Sequence, residues 1–137
     1  MYLFEKAVDI IGFIRSGSSY ICDPPVEDTD EDFVLYTTST GKVRKQLENL
    51  GYTFSAKDVE KYKAGSTDPF AMYNNFDAYR HPDNKHNLIV VSNAADFLKW
   101  KVATLVAKEL NLKDKNHRIV LFRAIRSGGT HFESIKD

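Results

Sequence analysis

The chain has 137 residues, 42% hydrophobic and 28% charged, which suits one domain (1–137) with a single sizeable core and argues against disorder. Its 19 basic and 19 acidic residues cancel, which excludes a protein that coats nucleic acid by bulk charge and leaves room only for a focused contact. The single cysteine, Cys22, rules out an internal disulfide; with no signal-peptide pattern and no membrane-spanning apolar run, the expected location is the cytoplasm, away from membranes.

In chain order, Leu3, Ala7, Ile10, Ile11 and Ile14 share one face at helical spacing, so an amphipathic helix is expected from Tyr2 to Ile14. It would deliver the Gly17-Ser18 step, where a glycine lets backbone N–H groups approach an anion and a hydroxyl adds a donor. Pro24-Pro25 then keeps the connection extended. Asp28, Asp30 and Asp32 follow at alternate positions and lead into the apolar run Phe33-Val34-Leu35-Tyr36. In a strand, residues two apart point to one side, so Asp30 and Asp32 would share a face. Hard carboxylate oxygens of this kind suit Mg²⁺ or Mn²⁺, with water and substrate phosphates completing the shell. Either half alone is ordinary loop chemistry; together, with the carboxylates entering an apolar strand, they describe a metal and phosphate site.

Thr38-Ser39-Thr40 can cap a helix carrying Val43, Leu47 and Leu50 and stopped by Gly51. Thr40-Gly41-Lys42 lacks the upstream glycine of a phosphate loop, so Lys42, Arg44 and Lys45 read as a solvated helix face. A short helix is expected from Ala56 to Lys63, then an aromatic-rich segment with Tyr62, Phe70, Tyr73 and Phe76. Phe76 to Arg80 and Asn87 to Val91 form the arms of a hairpin. His81 and His86 flank its turn without the spacing of a known zinc site. Asn93 caps a helix whose expected apolar face is Leu98, Val102, Leu105 and Val106; Asp114 caps another with Ile119, Phe122 and Ile125, stopped by Gly128-Gly129. Most basic residues of these helices are solvation, with one or two available to substrate phosphates.

Gly17-Ser18, an eleven-residue spacer and Asp30-Glu31-Asp32 at the start of a strand resemble the signature of the DNA polymerase β-like nucleotidyltransferase superfamily, and the wider text resembles its small stand-alone members from bacteriophages. The resemblance implies an α+β fold, a small mixed or antiparallel sheet with an N-terminal helix and C-terminal helices. It also implies metal ligation by Asp30 and Asp32, phosphate contacts at Gly17 and Ser18, and transfer of a nucleotidyl group from a nucleoside triphosphate to a hydroxyl, releasing pyrophosphate. The acceptor, whether nucleic acid, protein or small molecule, is left open.

Members of that superfamily carry a third carboxylate on a later strand, and here Asn87 stands in the expected place. An amide offers oxygen to a cation but has no charge and cannot act as a base. Asp77, on the partner arm of the hairpin, is the alternative third carboxylate if the register turns it to the same side. The chain is expected to be an enzyme, a nucleotidyltransferase weakened by Asn87 in the third position. The alternative is a catalytically weak or inactive binding module on the same fold that regulates a nucleotide or a host protein, and the third carboxylate is the feature that separates the two.

Overall fold

The computed structural model describes residues 1–24, 30–63 and 76–126. Five strands make one mixed sheet, β1 (Gly12–Ser16), β2 (Glu31–Tyr36), β3 (Thr53–Phe54), β4 (Phe76–Arg80) and β5 (His86–Val91), in the spatial order β1-β2-β5-β4-β3. Only β2 and β5 run parallel; every other neighbouring pair is antiparallel. Helices α1 (Ser18–Ile21), α2 (Thr40–Asn49), α3 (Ala56–Lys63), α4 (Ala94–Glu109) and α5 (Lys115–Arg126) complete an α+β fold.

Strand alternation divides the core in two. Phe33, Leu35, Leu88, Val90 and Tyr79 point to the side covered by Val43 and Leu47 of α2 and by Phe4. Val34, Ile89 and Val91 point to the other, against Ile21 of α1, Trp100, Ala103 and Ala107 of α4 and Phe122 of α5. Because β5 lies mid-sheet beneath both layers, Leu88, Ile89, Val90 and Val91 are all buried, giving the continuous apolar run that a doubly covered strand requires.

Several expected boundaries hold. The short helix spans Ala56–Lys63, and the hairpin arms coincide with β4 and β5. Asn93 Oδ1 accepts from Ala95 N at 2.7 Å and Asp96 N at 3.3 Å, and Asp114 Oδ1 caps α5 through Asn116 N at 2.8 Å. Gly51 terminates α2 with φ +96°.

The N-terminal helix from Tyr2 to Ile14 does not form. Leu3–Lys6 makes a single 3-10 turn, in which Tyr2 N donates to Glu5 Oε2 at 2.6 Å, and Gly12–Ser16 is the edge strand β1. The apolar set fits both periods. Here Phe13 packs with the α2 layer and Ile14 with the α4 layer, an alternation that a helix could not satisfy. The expected apolar face of α4 is also wrong. Leu98, Val102 and Leu105 are exposed, whereas Trp100, Ala103, Thr104 and Ala107 face the sheet. The two-residue β3 was not expected either. Asp28, Phe70, Tyr73, the side chain of Tyr62 and the Gly128-Gly129 stop lie outside the described residues.

Among the described residues, no helix is long and apolar enough to cross a membrane.

Candidate functional site

The register of four strands aligns Ser16 (β1) with Asp32 (β2), Asp32 with Asn87 (β5) and Asn87 with Arg80 (β4). Residues paired across a sheet share a face, so these four side chains form one row at the end of the sheet where β2 begins. The next row on the same face is apolar, Ile14, Val34, Ile89 and Ala78. The polar row therefore sits where the core stops.

Gly17 follows β1 and packs onto that row. Its backbone has φ 70° and ψ 179°, a conformation essentially confined to glycine. A β-carbon at this position would lie 1.9 Å from Asp32 Oδ2. Glycine thus brings the turn into contact with the carboxylate, and Ser18 opens α1 one residue later. The turn is anchored from below: Ser16 Oγ and Thr104 Oγ1 are 2.8 Å apart in a buried contact, and Thr104 Oγ1 donates to Trp100 O at 2.8 Å. Ser19 Oγ, also in α1, is buried without a hydrogen-bond partner among the described residues.

Asp30 lies just before β2, two residues from Asp32. Its Oδ2 accepts from Asn87 Nδ2 at 3.1 Å and stands 3.8 Å from Arg80 Nη1. Arg80 is itself held in a fork by Asp58 of α3, with Nε to Oδ2 at 2.5 Å and Nη2 to Oδ1 at 2.7 Å. The Asp58 hydrogen bonds, followed by the charges of Asp58, Asp30 and Asp32, hold the guanidinium proton more firmly than usual against the opposing effect of burial.

Of the residues singled out from sequence, Gly17, Ser18, Asp30, Asp32 and Asn87 converge here. Asp77 does not. It pairs with Val90, on the α2 side of the sheet, and its Oδ2 accepts from Tyr79 Oη at 3.5 Å. With burial as the larger cause, the negative charge of Asp77 helps push the Tyr79 phenol well above its ordinary range. Asn87, not Asp77, completes the row, and no group of three or more His, Cys, Asp or Glu side chains suited to a metal occurs among the described residues.

The donor set still fits one Mg²⁺ or Mn²⁺ carried by a nucleotide, since such ions commonly take one or two protein carboxylates and complete their shell with phosphates and water. Asp32 and the remaining oxygen of Asp30 would be its protein ligands.

Arg80 and Asp58 escaped sequence reading, although Arg80 faces Asn87 in any hairpin that closes symmetrically on the expected arms. The other candidates have structural duties. Lys108 Nζ donates to Tyr20 O at 2.8 Å and lies 4.3 Å from the Tyr20 ring centroid, and Arg118 Nη1 donates to the carbonyls of Leu112 and Lys113 at 3.0 and 2.9 Å. His81 Nδ1 accepts from Asp83 N at 3.1 Å, which leaves its Nε2–H to donate to Leu50 O at 3.1 Å. His86 packs on the Phe33 ring at 5.1 Å, and Cys22 is buried.

No family model, curated protein or solved structure matches this chain.

Proposed function

We propose that this site binds a nucleoside triphosphate together with a divalent cation and serves nucleotidyl transfer to a hydroxyl acceptor, as the resemblance to the DNA polymerase β-like nucleotidyltransferases implies. The observation that carries the reading is the contact of Gly17 with Asp32, in a row that also holds Asn87 and abuts Asp30. A Gly-Ser turn pressed against a carboxylate at a sheet end supports this reading, because the N–H groups of such a turn could receive phosphate oxygens beside carboxylates able to hold a cation, as a metal-nucleotide requires.

A divalent cation held by Asp30 and Asp32 would supply charge neutralisation and Lewis acidity at the phosphates. The chain's own part is positional. Gly17 and Ser18 would receive phosphate oxygens and Asp30 and Asp32 would hold the cation, while the buried Ser16–Thr104 contact holds the turn in register with them. Attack by an acceptor hydroxyl at the α-phosphorus would form the new P–O bond as the bond to the bridging oxygen breaks; pyrophosphate would leave with that electron pair, and the hydroxyl proton would pass to solvent water.

A second reading is favoured by the placement of Asp77 on the opposite face. With an amide in the row where a third carboxylate was expected, the site suits a module that binds a nucleotide without turning it over.

Calorimetric titration with each nucleoside triphosphate in Mg²⁺ and then Mn²⁺, beside Asp30→Ala and Asp32→Ala, tests both. Binding lost in the variants is expected. Pyrophosphate release with a panel of RNA, DNA, protein and small-molecule hydroxyls then separates transferase from binding module, and absence of binding in either metal sinks both.

A further inference from the structure

Helix α4 buries one side and leaves an apolar stripe on the other. Trp100, Ala103, Thr104 and Ala107 face the sheet, whereas Ala95, Leu98, Val102 and Leu105 are exposed, Leu105 by 48%. These four recur at alternating intervals of three and four, the a and d positions of the heptad by which helices pair. Glu109, at the next a position, ends the stripe.

Beside Leu105 the stripe opens into a groove of about 290 Å³ between α4 and the edge strand β1, lined also by Ile14, Arg15, Tyr20, Lys101 and Thr104. Its charged members are all cationic. Arg15 Nε is buried without a hydrogen-bond partner, and Arg15 Cζ lies 5.5 Å from the centroid of the Tyr20 ring that Lys108 Nζ also approaches. Among the described residues, none of Arg15, Lys101 and Lys108 enters an ion pair.

In the heptad frame Lys101 and Lys108 occupy successive g positions and Lys99 an e position, the places that face the flanks of a paired helix. No e or g position of α4 carries a carboxylate. A second copy of α4 could therefore bury the stripe but would leave the flanking cations without an anion in either orientation. An acidic helix satisfies both the apolar stripe and its flanks.

We propose that the outer face of α4 docks an amphipathic acidic helix of a partner protein, with an apolar side chain seated in the groove beside β1 and carboxylates meeting Lys101, Lys108 and Arg15. The surface adjoins the Gly17–Ser18 turn, because Arg15 and Tyr20 bracket that turn in sequence and Thr104 contacts Ser16. The inference goes beyond the nucleotide-binding reading and does not depend on it.

The test titrates the full chain with a synthetic helix of about four heptads, leucine at a and d and glutamate at e and g, beside the same helix with lysine at e and g and beside single-stranded RNA. Fluorescence anisotropy of the labelled probes reads affinity, and sedimentation reads the oligomeric state of the chain alone. The acidic helix should bind with a Kd below about 100 μM and weaken as salt is raised, while the basic helix and the RNA should not bind. Leu105→Ser and Lys101→Glu, both on exposed positions, should each weaken the acidic helix about tenfold, and thermal melting checks that each is folded. If either variant fails to fold, Val102→Ser takes its place with the same expected loss. Equal affinity for the acidic and basic helices, or no loss in the folded variants, would overturn the proposal. So would a stable dimer of the chain that Leu105→Ser dissolves, which would make a second copy the occupant, or RNA binding that Lys101→Glu abolishes, which would make it a nucleic acid. No binding of the acidic helix would overturn it as well, leaving the nucleotide reading untouched.

Discussion

Gly17 and Asp32 touch so closely that no other residue fits at 17: a β-carbon there would stand 1.9 Å from Asp32 Oδ2. The backbone conformation, φ 70° and ψ 179°, independently demands glycine. Two unrelated constraints therefore fall on one residue at the edge of the candidate site. Gly17→Ala should cost about 2 kcal/mol from backbone strain alone, and should also push the Asp32 carboxylate out of the row. Denaturant unfolding measures the first effect and nucleotide titration in Mn²⁺ the second. A variant with unaltered affinity would mean that Asp32 is not a ligand.

His86 provides a pH dependence. Its ring is packed among Tyr2, Phe4 and Phe33, and burial holds its pKa below the ordinary value of 6.5, with the charge of Glu31 opposing that shift and His81 adding to it. The unfolded chain therefore takes up the proton first as pH falls. The stability that depends on a neutral His86 is complete above about pH 6.5 and declines as the pH drops toward the depressed folded value. The melting temperature should fall between about pH 7.5 and 5.5, and His86→Phe, which preserves an aromatic ring on Phe33, should flatten that part of the profile. An unchanged slope would locate the titration elsewhere.

How much of this was legible in the sequence depends on whether the signal was local. The caps Asn93 and Asp114 and the stop at Gly51 act through neighbouring backbone groups, so α2, α4 and α5 could be placed from short stretches of text. β1 could not, because Leu3, Ala7, Ile10, Ile11 and Ile14 satisfy a helical period as well as the strand that forms, and only pairing with β2 decides between them. The motif residues Gly17, Asp30 and Asp32 were visible because their spacing is short. Arg80 and Asp77 were not assignable because the hairpin register decides which of them faces Asn87, and register is a property of paired strands rather than of either one alone.

The exposed and buried sides of α4 carry a direct test of the corrected helix face. The helix carries apolar residues on more than one face, so Leu98, Val102 and Leu105 had the spacing of a core stripe, yet Leu98 is 59% exposed and Trp100 only 1%. Leu98→Ser should change stability by no more than about 0.5 kcal/mol, whereas Trp100→Ala should cost about 3–5 kcal/mol. Ala103→Leu should also destabilise, by about 1–3 kcal/mol, through overpacking against the sheet. Urea unfolding of the three variants gives the ranking, and a large loss in Leu98→Ser alone would restore the face expected from sequence.

The Ser16–Thr104 contact joins the residue before Gly17 to the middle of α4 across 88 positions of sequence. Since Thr104 Oγ1 donates to Trp100 O, it accepts from Ser16 Oγ–H, and the serine hydroxyl is the donor of the pair. Thr104→Val keeps the volume but leaves that buried donor without its acceptor, at a cost of about 1–2 kcal/mol. Ser16→Ala removes the donor and leaves Thr104 with its bond to Trp100 O, so it should cost less, about 0.5–1 kcal/mol. With both changed, no hydroxyl is stranded, and the double variant should be more stable than the sum of the single losses implies. Because this contact holds β1 to α4 beneath the turn, both single variants should also weaken nucleotide binding, in proportion to their loss of stability if the contact acts only by fixing Gly17 over Asp32. Additive losses in the unfolding cycle would mean that the two hydroxyls do not act as one unit.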